Sequence, residues 1–182
     1  MQRNRKTNVV RIANSVLHEA FPELSKVTFE LKLIPLNDQD LMEFGIYTIH
    51  GFPIKDEFFI ETAPCILNAP KEAIKAAYAH EFVHALQQIQ KGVVSYLLHE
   101  QIYVHSSAYR KRVEAITDLE VTVRGFGEGL LLLEEFRVST KRHNGFGLPC
   151  QHIKDILSAY GKLPNPLTYK DYVRMFGNGN HA

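Results

Sequence analysis

Residues 80–84 read His-Glu-Phe-Val-His, two imidazoles four positions apart with a carboxylate directly after the first. On a helix, positions i and i+4 lie one above the other, so His80 and His84 can grip one metal ion together. Glu81 then points beside the metal and not at it. A base belongs there if the ion is to acidify a water and a neighbouring group is to accept its proton. The grouping therefore points to metal-assisted hydrolysis. A pattern this short also arises by chance, so its setting has to decide.

The flanks predict a helix. Asn68-Ala69-Pro70 supplies a start, with a capping-type residue and a proline in the first turn, and Lys91-Gly92 supplies an end. Between them Ile74, Tyr78, Phe82, Leu86 and Ile89 recur at helical spacing as one apolar stripe. His80 and His84 fall on a neighbouring face bordered by Ala76, Ala77 and Ala79. A second stretch, YRKRVEAITDLEVTVRGFG from Tyr109, predicts another helix, capped near Ser106-Ser107. On it Glu114 and Asp118 are again i and i+4, so two carboxylates share one face. A hydrolytic zinc needs a third protein ligand besides two histidines, and an acid behind a histidine to fix its tautomer. Glu114 and Asp118 can fill those two roles, whereas Glu120 reads as part of a solvated face.

HEFVH followed by VEAITDLE resembles the thermolysin-like gluzincin metallopeptidases, in which a His-Glu-x-x-His helix is completed by a glutamate from a second helix within an E-A-x-x-D run. The resemblance covers roughly residues 71–124. It implies one Zn²⁺ per chain held by His80, His84 and Glu114, with Glu81 as general base and Asp118 as the acid behind His80. Thermolysin-like enzymes are larger, two-lobed and secreted. A chain of 182 residues has room for a single catalytic lobe with additions, and so is more similar to the compact minigluzincin type. The family also uses a histidine or tyrosine outside these motifs to polarise the scissile carbonyl. Here Tyr103, His105, Tyr109, His143 and His152 are all candidates for that role.

The rest of the chain bounds the reading. Its length fits one domain, 1–182, able to bury a core without staples. A net charge of +1 gives no electrostatic case for nucleic acid or an anionic membrane as partner. No apolar run approaches membrane-spanning length. With no signal-peptide pattern, the expected compartment is the cytoplasm, and Cys65 and Cys150 are expected to be free thiols outside the site. The basic start, with Arg3, Arg5, Lys6 and Arg11, reads as a frayed lead into an amphipathic helix over 9–21.

Three extended runs, 26–36, 44–52 and 57–67, are rich in β-branched and aromatic residues and predict a small mixed, largely antiparallel sheet packed on the helix of His80. Residues 63–67 are the expected sheet edge beside the site, where an extended peptide could pair. Residues 93–107 are mixed in pattern, and His99, Glu100 and His105 read as surface or loop positions. Gly125, Gly127 and Gly129 lack the context of a phosphate loop and predict a helix stop or a close crossing. Residues 130–138 resume as a helix, followed by two short ones at 152–160 and 169–175. Arg110, Lys111 and Arg112 read as a solvated basic face.

The expected architecture is thus α+β and zincin-like, a small mixed sheet on the His-Glu-x-x-His helix with a second ligand-bearing helix and a helical C-terminal part. The expected activity is zinc-dependent hydrolysis of a peptide or protein substrate. The rival expectation is a weak or inactive zincin-like module used for interaction or regulation, since a peptidase fold can outlive its chemistry.

Overall fold

The computed structural model describes residues 2–36, 41–49, 52–89, 93–142, 145 and 147–159. Among these the order is α1 (Gln2–Ala20), β1 (Thr28–Leu33), β2 (Met42–Ile49), β3 (Phe52–Thr62), α2 (Lys71–Ile89), α3 (Val93–His105), α4 (Ser107–Val121), α5 (Gly127–Ser139) and α6 (Cys150–Ala159). The architecture is α+β, mostly helical, with one small mixed sheet.

The chain is built around α2. A short 3-10 turn, Pro64–Asn68, leads into it, and Pro70 accepts the amide of Ile74 as the first helical bond. The stripe of Ile74, Tyr78, Phe82 and Leu86 is buried as its spacing predicts, but Ile89, the last residue of α2, is exposed. Phe82 meets Phe21 and Phe29 edge-on, with ring centroids 5.5 and 5.0 Å apart, which seats α2 on the sheet and on the end of α1. The opposite side of α2 is almost as dry, because Ala73, Ala76, Ala77, Ala79 and Ala85 let other helices come close. At Gly129 a Cβ would strike the Glu72 carbonyl and Ala76, so α5 crosses α2 at backbone distance. The glycine-rich stretch is therefore both of the things it predicts. Gly125, at φ 93°, turns the chain through a π-type segment, Thr122–Phe126, and Gly129 makes the crossing.

The sheet has the order β1-β3-β2, with β1 parallel and β2 antiparallel to β3. The expectation of a largely antiparallel sheet is corrected at β1. Its partner is the third strand and not the next one, which local patterning does not reveal. The expected edge at 63–67 is corrected as well. Those residues leave the central strand and enter the Pro64–Asn68 turn, where Pro64 has no N–H to offer a ladder. The edge beside the site is instead the start of β2.

Other differences have local causes. The basic lead is helical from Gln2, continuous with the buried Val9, Ile12, Ala13 and Val16 of α1. Residues 93–105 form a regular helix, hidden in the sequence because its apolar residues do not keep to one face; Leu97, Leu98, Ile102 and Val104 are all exposed. Ser106 caps α4 as expected, its hydroxyl accepting the Tyr109 amide at 3.2 Å. Glu120 is half-buried and accepts Arg124 Nε at 2.8 Å, so it is not a purely solvated acid. Both cysteines are free thiols. The expected helix at 169–175 and the expected helix end at 91–92 lie outside the described residues. No helix among the described residues is long and apolar enough to cross a membrane.

Candidate metal centre and its cleft

α2 and α4 run side by side, and their i, i+4 pairs face each other. Gln87 Nε2 donates to Thr117 Oγ1 at 3.1 Å and helps to set the register between them. His80 Nε2 lies 3.0 Å from Glu114 Oε2 and 3.1 Å from His84 Nε2, and His84 Nε2 lies 3.5 Å from Glu114 Oε1. One ligand atom from each of His80, His84 and Glu114 falls within 4.8 Å of the others, a group that could hold a metal ion. The three side chains are 10, 15 and 12% exposed, dry enough to strengthen their electrostatics and open enough for a ligand to enter.

The donor set fits a cation. Asp118 Oδ1 lies 2.9 Å from His80 Nδ1. When the ring is neutral and its remaining N–H is given to that carboxylate, Nε2 presents its lone pair to the point where His84 and Glu114 converge. Asp118 is itself held, because its Oδ2 accepts the Leu148 amide at 2.8 Å. Gly147 makes this approach feasible, since its φ is 92° and any Cβ there would collide with the Asp118 carboxylate. Two imidazoles and a carboxylate suit zinc and its first-row neighbours better than magnesium or calcium, which take oxygen ligands.

The ionisation of the group follows from the same contacts. Burial works against a charge on His80, but the hydrogen bonds that its ring N–H groups donate to Asp118 and Glu114 outweigh it and hold its pKa well above the histidine range. Burial would raise Glu114, yet the facing His84 and His80 pull it well below the carboxylate range. Glu81 goes the other way: burial pushes its carboxyl up, and the two histidines offset only part of that. A carboxyl raised in this way keeps its proton to higher pH than a free one. Glu81 lines the cleft and stays out of the three-residue group, as its spacing predicts.

The cleft over this centre has a volume of about 460 Å³. The start of β2, from Met42 to Phe44, borders it, together with α2, α3, Arg110 and Glu114 of α4, and Arg137 of α5. Of the candidates for a carbonyl-polarising group, Tyr103 lines the cleft and its hydroxyl donates to Glu114 Oε1. Burial and then the nearby Glu114 charge push its pKa far up, so it stays a neutral donor. Tyr109 instead braces His99, with its hydroxyl 2.8 Å from Nδ1, and His105 is exposed. His152 sits on α6 away from the cleft lining, and His143 lies outside the described residues.

Sequence reasoning missed several lining residues. His99 is buried and Glu100 half-buried, and both line the cleft, because α3 forms one of its walls. Arg110 also turns inward, with its guanidinium 5.0 Å from the centre of the Tyr103 ring, while Lys111 and Arg112 remain exposed. Gln88 had a legible signal, since it continues the His80, His84 row by four residues. Arg137 had none. Comparison of the chain with protein-family models, curated proteins and solved structures finds no match.

Proposed function

We propose that this chain is a zinc-dependent metallopeptidase of the gluzincin type, with a zincin-like fold and one zinc ion held by His80, His84 and Glu114. The observation that carries the reading is the meeting of the two motifs. Glu114 reaches His80 and His84 from a separate helix while Asp118 engages the far nitrogen of His80. A group that merely stabilised the fold would not need Glu81, a buried carboxyl raised by its surroundings, beside the three ligands.

Zinc bound there would acidify a water and polarise a peptide carbonyl. Glu81 accepts the water proton and returns it to the departing amine. Asp118 keeps His80 in the tautomer whose Nε2 faces the ligands. Tyr103, whose hydroxyl donates to Glu114, would turn it to the carbonyl oxygen as negative charge builds there. The edge strand β2 borders the cleft with Met42 to Phe44 and can pair with an extended substrate.

The test is Glu81→Gln, with zinc content and cleavage of a peptide mixture both measured. The expected variant keeps its zinc and loses turnover by about 10²- to 10⁴-fold. Unchanged cleavage would remove Glu81 from the chemistry. The second reading, a silent zincin-like module used for interaction, draws on the apolar residues that α3 exposes, Leu98 and Val104 at 59% each. It predicts zinc binding with no cleavage by the unaltered chain.

A further inference from the structure

α5 reaches the cleft over the candidate metal group by one row of residues. Gly129, Leu133 and Arg137 follow one another at intervals of four and so share a face of the helix. Gly129 meets α2 at Glu72 and Ala76, Leu133 is buried, and Arg137 lines the cleft together with Glu81. The face that packs α5 on α2 thus ends in a guanidinium that belongs to the cleft. Its charge is felt by the proposed general base: burial pushes the Glu81 carboxyl up, and Arg137 is among the charges that oppose it.

Arg137 has bonding capacity to spare. A guanidinium carries five N–H donors in a planar fork. Among the described residues its one ion-pair partner is Glu134, three residues back on α5, and at 3.8 Å between Nη1 and Oε2 that pair is longer than a hydrogen bond. Glu134 does not line the cleft, whereas the Arg137 side chain does and is 22% exposed, open to a ligand there. The other guanidinium of the cleft serves α3: Arg110 Nε donates to the Tyr103 carbonyl at 3.3 Å, and the group lies over the Tyr103 ring. A carboxylate is the partner such a fork takes best, because two parallel charge-assisted N–H···O bonds form at once. We infer that Arg137 is a specificity residue that receives a carboxylate of the substrate, either the C-terminus of a peptide or an aspartate or glutamate side chain. This deepens the peptidase reading and rests on it for the substrate class.

Three acetylated hexapeptides, alike except at one position and at the C-terminus, test it by calorimetry on the zinc-loaded full chain carrying Glu81→Gln. One has glutamine at that position and a free C-terminal carboxylate, one has glutamate and an amidated end, and the third has glutamine and an amidated end. At least one of the first two should bind about tenfold tighter than the third, a size typical of hydrogen bonds between charged groups. The arm that does so names the source of the carboxylate. A carboxylate can also bind zinc directly, so a second substitution decides. Adding Arg137→Gln should bring all three peptides within about threefold while zinc content stays unchanged. If that variant loses its fold or its zinc, Arg137→Lys, which keeps the charge without the fork, decides in its place and should narrow the gap by at least about threefold. Equal binding of the three peptides, no binding of any, or a gap that survives the substitution overturns the subsite, the last by placing the carboxylate on the metal. Cleavage by the unaltered chain is scored separately. Selective binding without cleavage defeats the peptidase reading alone, and cleavage without selectivity defeats the subsite alone.

Discussion

α2 and α3 line the same cleft and differ in nearly everything else. α2 is packed on almost every side, with Tyr78, Phe82 and its alanines dry, whereas α3 shows Leu97, Leu98, Ile102 and Val104 to solvent. The three residues of the candidate metal group, which lie within a few ångströms of one another, stand on α2 and on its partner α4. The residues that would meet the rest of a substrate, Glu100 and Tyr103 among them, stand on α3. A metal centre needs its ligands held to within fractions of an ångström, and packing supplies that. A wall that recognises substrates tolerates a looser setting.

The sharpest test of this contrast removes a ligand. His84→Ala or Glu114→Ala should weaken zinc affinity by more than about 100-fold, measured by competition with a chelator, since even an outer partner of a metal ligand is worth about 10–100-fold. If Glu114→Ala binds as tightly as the parent, the two-helix centre is wrong. Tyr103→Phe, on α3, should lower kcat by about 10²- to 10³-fold with zinc affinity kept, because it removes a donor and not a ligand. An equal loss of zinc would make Tyr103 part of the metal scaffold instead.

Asp118→Asn should cost about 10–100-fold in zinc affinity while leaving the ligands in place. In stability, Phe82→Ala should cost about 3–5 kcal/mol by urea denaturation, and Leu98→Ala should stay within about 0.5 kcal/mol. A comparable cost at Leu98 would show that α3 is packed against something in solution.

pH gives the smallest effect and separates the metal-free from the loaded chain. His80 has a folded pKa well above 6.5, so its contribution is complete below pH 6.5 and is lost as the pH rises through that higher value. Glu81, raised above 4.5, tilts the same way from pH 4.5 upward. Glu114, held well below 4.5, gives a contribution that is complete above that pH and lost only as the pH falls through its lowered value. The metal-free chain should therefore have a higher urea midpoint at pH 6 than at pH 8. Zinc should reverse the order, because its ligands must shed protons to bind it.

Much of the candidate group was legible because its parts are local. His80 with His84 and Glu114 with Asp118 are i, i+4 pairs, and a helical period places each pair on one face without reference to the rest of the chain. The N-terminal helix and the Ser106 cap were legible for the same reason. What escaped depends on distant partners. β1 pairs with β3 across the intervening strand, Arg137 reaches the cleft from α5, and α3 carries apolar residues on faces that no core covers. The five candidates for the polarising group could be narrowed only once α3 was known to be a wall.

The hydrogen bond from Leu148 to Asp118 bears on where the working unit ends. Both motifs are complete by residue 124, yet one oxygen of Asp118 is satisfied from a loop 30 positions downstream. A fragment trimmed to the motifs would retain His80, His84 and Glu114 and still leave that carboxylate half-tethered, free to swing away from His80. The shortest piece that carries both motifs is thus shorter than the shortest piece that holds Asp118 by both oxygens.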